Sequence, residues 1–212
     1  MPHARFAVPT ASAALAAAVL LLTPAGPAAH AAPEPELVSP SWQLDFEYDE
    51  PDAIAVKTLT GETRWYWYMT YEVTNHTGEE RLFVPDITIA DDTGRIIPAG
   101  EDVPARAFRA IRDELGSTRL QSQTQIVGQI LQGEDHSRRG VAIWPADTDR
   151  DVDAIRIFIA GLSGETATAV DPVTGEEVLL RRTLMLAYEM PGNNTSPQDQ
   201  PFIRSAEREV MR

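Results

Sequence analysis

The stretch from Trp65 to Gly94 carries a residue pattern that limits the folds open to the whole chain. Large apolar side chains occupy the odd positions of its first half: Trp65, Trp67, Met69, Tyr71 and Val73. Polar residues occupy the alternate positions 70, 72 and 74. A period of two indicates a β-strand with one buried face. Because residues 75–78 (NHTG) have turn chemistry and a second strand is predicted over 82–89, the stretch predicts a hairpin that a turn at 91–94 closes.

Shorter runs with strand character precede and follow this hairpin. They lie at 42–48, 54–59, 95–97, 141–144, 155–159 and 178–190. Gly, Pro, Asn and Asp residues separate these runs, as they do between the strands of β proteins. Many short strands at regular spacing predict an all-β antiparallel sandwich.

One amphipathic helix is predicted within this β pattern, over about residues 103–115. Phe108, Ile111 and Leu115 form a single apolar stripe at helical spacing. Asp102 is expected to cap the helix, with Pro104 in its first turn. The segment 121–132 further along fits strand and helix patterns equally well.

Four arginines have two possible roles each. Arg106, Arg109 and Arg112 fit either an anion site or a solvated helix face with local acidic partners. Arg182 has the same register as the inward-facing residues of the last strand. It therefore either reaches the rim of the sandwich or pairs with a buried carboxylate.

The first residues of the chain predict export. An uncharged apolar run at 11–22 precedes a small-x-small pattern at 29–31 (AHA), which together predict a signal peptide over 1–31. An uncleaved amino-terminal anchor is the alternative. Residues 32–41 are predicted to be a solvated linker. We therefore expect a secreted or periplasmic protein with no membrane span after cleavage.

Charge and cysteine content restrict the partners and the chemistry. The chain has 32 acidic and 18 basic residues, a net charge of −14, and no cysteine. This acidity argues against nucleic acid and anionic membrane surfaces as partners. The lack of cysteine excludes disulfides, thiolate catalysis and cysteine-ligated metals. The expected partner is a protein or an envelope component of unspecified identity.

The order of the turn motifs is similar to a known pattern. The aromatic strand ends in V-T-N-x-T-G at 73–78, a D-x-x-G turn follows at 91–94, and LQGE at 131–134 precedes the strand 141–144. This order resembles the telokin-like, immunoglobulin-like domains of bacterial exported proteins, including a family of uncharacterised secreted proteins with WYWYMTYEVTN, LQGED and GLSGE motifs. The resemblance implies an immunoglobulin-like β-sandwich over 42–190, with 191–212 as a tail. It implies an interaction or structural module and supplies no catalytic residues.

Tyr66 and Tyr68 are the candidate ligand-binding residues. They lie on the strand face opposite the tryptophans, and a solvent-facing tyrosine pair can stack on a sugar or a peptide. The competing interpretation is a central strand that is covered on both faces.

A loop rich in aspartate is the candidate metal site. Four aspartates alternate along it: Asp147, Asp149, Asp151 and Asp153. Oxygen ligands at this spacing suit Ca²⁺, but Val152 and Phe158 stand where an EF-hand requires Gly and Glu. The loop is therefore either a loose Ca²⁺ site or a solvated connection, and no other cofactor is expected.

No residue is assigned a catalytic role. His76 and His136 lie in predicted turns, and two histidines complete a zinc site only when carboxylates join them. Residues 161–165 (GLSGE) lack the following helix that a nucleophile elbow requires. The favoured interpretation is an exported, non-enzymatic binding or envelope-structural module. A carbohydrate- or calcium-binding sandwich is the alternative, and an acid/base hydrolase is the least favoured.

Overall fold

The computed structural model of the chain describes residues 41–146, 152–191 and 197–212. These residues belong to Ala32–Arg212, the second of two units into which the chain divides. They form thirteen strands and one α-helix in this order: β1 (Asp45–Tyr48), β2 (Asp52–Lys57), β3 (Thr63–Thr74), β4 (Arg81–Phe83), β5 (Asp86–Asp91), β6 (Ile96–Pro98), α1 (Ala105–Glu114), β7 (Leu120–Gln121), β8 (Gly128–Ile130), β9 (Arg138–Ala146), β10 (Ala154–Ala160), β11 (Thr166–Val170), β12 (Glu177–Glu189) and β13 (Ile203–Met211). Single 3₁₀ turns lie at Glu134–His136 and Pro197–Asp199.

The strands form two main sheets. In sheet A, β3 pairs with β1 and β2 along one edge and with β9 along the other, and β7 pairs with β9. In sheet B, β12 pairs with β13, β10 and β11, and β5 lies between β10 and β6. Apart from β7 with β9, all of these pairings are antiparallel. β4 and β8 form a separate two-stranded pair.

One hydrophobic core lies between the two sheets. Sheet A contributes Trp67 and Trp144, and sheet B contributes Ile157 and Leu186. All four side chains are almost completely buried. Two antiparallel sheets that face a common core are consistent with the predicted all-β sandwich.

The aromatic strand predicted from the period of two is β3, and it is central in sheet A. Its odd positions from Trp67 to Val73 are buried between the sheets, as predicted, and Trp65 is partly buried against the same core. Its even positions Tyr66, Tyr68 and Thr70 are also buried. The expectation of a single buried face is therefore incomplete, because α1 covers the middle of the other face.

The predicted helix is confirmed as α1. Ala107 and Ile111 are fully buried and pack in a second apolar cluster with Tyr66 and Tyr68. The predicted cap is wrong: Pro104 is the N-cap residue, and it forms no side-chain cap hydrogen bond.

The strand predicted over 82–89 is two strands in the structure. The chain leaves the β4 pair and enters sheet B at Pro85, which has no N–H to donate to a ladder. Gly161 fixes this crossing, because it has a φ of +92° and a Cβ there would lie 2.5 Å from the Val84 carbonyl oxygen.

Two segments contain strands at the margins of the fold: 121–132, which the sequence left open, and 191–212, which was predicted to be a tail. Within 121–132 the chain ends β7, turns, and forms β8. Beyond residue 190 the sandwich continues, because β13 pairs with β12 along its full length. The predicted tail over 191–212 therefore contains a strand of sheet B, and the boundary at 190 is too early.

The motifs that carry the sequence resemblance hold one another in place. Asn75 is fully buried, and its Nδ2 donates to the carbonyl oxygens of Glu79 and Ile130, both at 2.8 Å. Gln132 accepts from the Gly78 amide at 3.0 Å, and the Gly133 amide donates to the Asn75 carbonyl at 2.9 Å. The VTNHTG and LQGED segments therefore form one hydrogen-bonded unit. This structural role is sufficient to account for the Asn, Gln and Gly residues in the two motifs.

Candidate functional site: a basic groove beside the helix

The two tyrosines singled out in the sequence lie beneath α1. Tyr66 is 3% exposed and Tyr68 is 7% exposed, so neither ring presents a face to solvent. The Tyr68 hydroxyl donates to Asp52 Oδ2 at 3.2 Å. Burial, and secondarily the Asp52 carboxylate, raises the pKa of Tyr68 to about 12. The solvent-facing pair that stacking requires is therefore not observed.

Tyr66 nevertheless borders a groove of about 440 Å³ between sheet A and the beginning of α1. We call it the α1 groove. It is lined by Val56, Lys57, Thr58, Arg64, Tyr66, Gly100, Asp102, Val103, Pro104 and Arg106. The β2–β3 pairing positions one side of the groove, because Val56 is opposite Arg64 and Lys57 is opposite Thr63. The other side is the turn that leads into the helix.

The α1 groove is basic, although the chain as a whole is acidic. Lys57, Arg64 and Arg106 line it, against one carboxylate, Asp102. Within the described ranges none of the three cations forms an ion pair, and Arg106 Nη1 donates to the Lys57 carbonyl oxygen at 3.2 Å. Arg64 lies opposite Val56 on the face that α1 covers, so the groove has two guanidinium groups, those of Arg64 and Arg106. Two such groups favour an anionic ligand, since guanidinium groups pair well with carboxylate, sulfate and phosphate.

The backbone at the rim of the groove is distinctive. Asp102 has a φ of +55°, a left-handed conformation that aspartate tolerates better than most residues. This turn starts α1 without a side-chain cap and without an acidic residue in its first turn. The amide groups at the beginning of the helix are therefore not occupied by a capping carboxylate.

The three arginines of α1 do not converge on one site. Arg106 lines the α1 groove, Arg109 is exposed, and Arg112 pairs with Asp113 at 3.6 Å and stacks on Phe108. Sequence reasoning missed Arg64 as a groove residue. The hairpin pairing of β2 with β3 was the signal that could have placed it opposite Val56.

A larger cleft of about 710 Å³ opens between the sheets at β1, β12 and β13. Arg182 lies in it and donates from Nη1 to Glu165 Oε2 at 2.8 Å and from Nη2 to Glu209. Glu165 is 7% exposed, so Arg182 pairs with a buried carboxylate, the second of the two predicted alternatives. Both acceptors raise the pKa of Arg182 further above its usual range, Glu209 most strongly. The network ties β12 to β13 and to the turn before β11.

The candidate calcium loop lies mostly outside the described residues. Asp147, Asp149 and Asp151 belong to that part, whereas Asp153 is exposed and its amide donates to Asp92 Oδ2 at 3.1 Å. In the ranges 41–146, 152–191 and 197–212, no three His, Cys, Asp or Glu side chains are grouped as metal ligands would be. Calcium binding by the four aspartates stays a prediction.

The GLSGE motif forms a structural turn. Ser163 Oγ accepts a hydrogen bond from the Glu165 amide at 3.1 Å, and a Cβ on Gly164 would lie 2.3 Å from Ser41 Oγ. The two histidines of the described chain are also separate. His76 Nδ1 lies 2.6 Å from Asp45 Oδ2, and His136 lies in a 3₁₀ turn.

Comparisons with protein-family models, with curated proteins and with solved structures found no match to this chain. Among the helices that the structure describes, none has the length and apolar character to span a membrane.

Proposed function

We propose that the chain is an exported, non-enzymatic binding or envelope-structural module on an immunoglobulin-like sandwich, and that the α1 groove binds an anionic group of its ligand. The observation that carries the proposal is that Arg64 and Arg106 both line one concavity without a described carboxylate partner. The chain has a net charge of −14, so the groove is a local region of positive charge on an acidic protein.

The surroundings of these cations favour an acidic carbohydrate as the ligand class. Val56, Val103 and Pro104 supply an apolar wall, and Arg64 and Arg106 supply the charge. Sugar rings present apolar faces, and uronic or sulfated sugars add the anion. A volume of about 440 Å³ lies within the usual range for small-molecule sites.

The test is calorimetric titration of the full chain with uronic-acid and sulfated oligosaccharides, each compared with its neutral counterpart. We expect the acidic member to bind more tightly. Arg64→Ala should weaken binding by about tenfold, as expected for loss of one charged hydrogen-bonding group. Arg109→Ala removes an exposed arginine of α1 that lies outside the groove, and it should leave binding unchanged.

Equal affinity for acidic and neutral sugars would contradict the role of the basic groove. The same conclusion would follow if Arg64→Ala bound the acidic sugar as tightly as the wild type. An unchanged unfolding midpoint of Arg64→Ala is required as a control, because Arg64 extends from β3, the central strand of sheet A.

A further inference from the structure

The outer face of sheet B carries four arginines, which we call the arginine face: Arg156, Arg181, Arg208 and Arg212. The strand register places them together. Arg156 is opposite Ala187, and Arg208 is opposite Met185. Arg181 and Arg212 exchange backbone hydrogen bonds at 2.8 and 3.1 Å.

These positions alternate with residues that face the core. Leu184, Leu186 and Tyr188 of β12 pack in the core between the sheets. Successive side chains of a strand point to opposite faces, so Arg181, Met185 and Ala187 lie on the outer face. All four arginines of the arginine face are exposed.

Apolar groups lie among the guanidinium groups. The Arg212 guanidinium is 4.0 Å from the centroid of the Phe158 ring, and its Nη1 donates to Thr88 Oγ1 at 3.0 Å. Beside them is a hollow of about 380 Å³, which Arg181 and Leu179 also line. Leu179 is 62% exposed. The arginine face therefore combines cationic and apolar contact surface.

The charge of this face is opposite to that of the chain. None of its four arginines forms an ion pair within the part of the chain that the structure describes. Asp86 is the carboxylate that lines the hollow, and Glu177 and Glu189 lie on the same face at the two ends of β12. The centre of the face therefore carries an excess of positive charge, although the protein has a net charge of −14.

A free strand edge adjoins the arginine face. β13 spans nine residues and, among the described strands, pairs only with β12. The opposite edge of β13 offers backbone N–H and C=O groups that can pair with an added strand. Arg208 and Arg212 extend from this strand.

We propose that the arginine face and the free edge of β13 bind an extended acidic segment of another protein, in which carboxylate residues alternate with apolar ones. Backbone pairing along β13 fixes the segment as a strand. Its carboxylates lie on the outer face beside Arg208 and Arg212, and its apolar residues lie on the opposite face beside Glu207 and Glu209, where further carboxylates would be repelled. This proposal concerns a surface separate from the α1 groove. Acidic-peptide binding and acidic-sugar binding can therefore fail independently of each other.

Two other occupants fit the observations less well. A second copy of this chain, added symmetrically and antiparallel at the middle of β13, would place Glu207 opposite Glu207. A polyanion without a peptide backbone would use the arginines but not the backbone groups of the strand edge.

The experiment is fluorescence anisotropy of the full chain with a labelled peptide in which glutamate alternates with valine. Three further probes are a lysine-for-glutamate version, a version with prolines that prevent strand pairing, and polyglutamate. We expect the alternating acidic peptide to bind at low salt, and the other three to bind at least about tenfold more weakly. Raising NaCl to about 0.5 M should weaken binding strongly.

Charge-reversal variants locate the site. Arg181→Glu with Arg208→Glu should reduce affinity for the alternating peptide by at least about tenfold. The matched control, Arg109→Glu with Arg119→Glu, makes the same change of net charge at exposed positions outside sheet B and should change affinity by less than about twofold. If the reversed pair unfolds, Arg181→Gln with Arg208→Gln serves instead and should weaken binding in the same direction.

Three results would overturn the proposal. Equal binding of polyglutamate or of the proline version would identify a general polyanion surface. Equal loss of affinity in both double variants would show an effect of net charge alone. Failure of the wild type to bind the alternating peptide at low salt would show that the face takes no such segment.

Discussion

The outer faces of the two sheets differ in what lies on them. On sheet A, α1 packs over Tyr66 and Tyr68 and makes a second apolar cluster. On sheet B, no described helix covers the outer face, where Arg181 and Leu179 are exposed. Both faces belong to strands with the same alternation. The difference shows that similar strand alternation leads to different outer faces: the outward residues that α1 covers are aromatic, whereas the exposed outward positions of sheet B include arginines.

The covered face should be sensitive to truncation of α1. Ile111→Ala removes a fully buried side chain from the helix–sheet contact, so we expect a loss of about 3.5 kcal/mol in the free energy of unfolding. The measurement is urea denaturation followed by tryptophan fluorescence. Leu179→Ala on the bare face is the matched control and should cost less than about 0.5 kcal/mol. Equal costs would break the distinction between the faces.

Two neighbouring arginines of β12 sharpen the comparison between buried and exposed cations. Arg182→Ala removes the guanidinium that neutralises Glu165 and Glu209, and we expect a loss of about 3 kcal/mol. Arg181→Ala acts on the outer face and should leave the unfolding midpoint unchanged. Denaturant titration of both variants at neutral pH tests this, and a stable Arg182→Ala protein would show that the network contributes little.

Alkaline pH should weaken the covered face. The pKa of Tyr68 is raised from 10 to about 12 in the folded protein, chiefly because burial disfavours the phenolate. The unfolded chain therefore loses this proton first. The contribution to stability is complete below pH 10 and is lost as the pH rises to about 12.

Tyr68→Phe has no proton to lose, so its stability should fall less over this interval than that of the wild type. Burial also raises the pKa values of Tyr71 and Tyr188. These two tyrosines should therefore cause some loss of stability at alkaline pH in every variant. Leu179→Ala, on the outer face of sheet B, should lose as much stability as the wild type between pH 10 and 12. The measurement is denaturant titration at several pH values from about 9 to 12, and identical alkaline slopes for wild type and Tyr68→Phe would contradict the role of Tyr68.

Local patterns were sufficient for most elements. The period of two located β3, β10 and β12, and the stripe that includes Ile111 located α1. The VTNHTG and LQGED turns were recognised as turns because Asn and Gly suit such backbone. The sequence could not show that Asn75 and Gln132 hold the two turns together, because 57 positions separate these residues along the chain.

The candidate site was less accessible to sequence reasoning. Tyr66 and Tyr68 had two open interpretations, a stacking face or a strand covered on both faces, and their burial under α1 agrees with the second. Arg64 joins Arg106 in the α1 groove only because α1 returns to sheet A. Likewise, Arg208 and Arg212 were assigned to a tail, and their position on sheet B depends on the pairing of β13 with β12.

Side-chain period and turn chemistry act over a few residues, so the sequence alone established a β-rich chain with one amphipathic helix and an acidic charge. Which outward face is covered, which cations converge and which carboxylate pairs with Arg182 depend on contacts between distant segments. Those contacts form only when burial of a shared core offsets the entropy of bringing the segments together. The two faces of this sandwich therefore became distinguishable only in the folded structure.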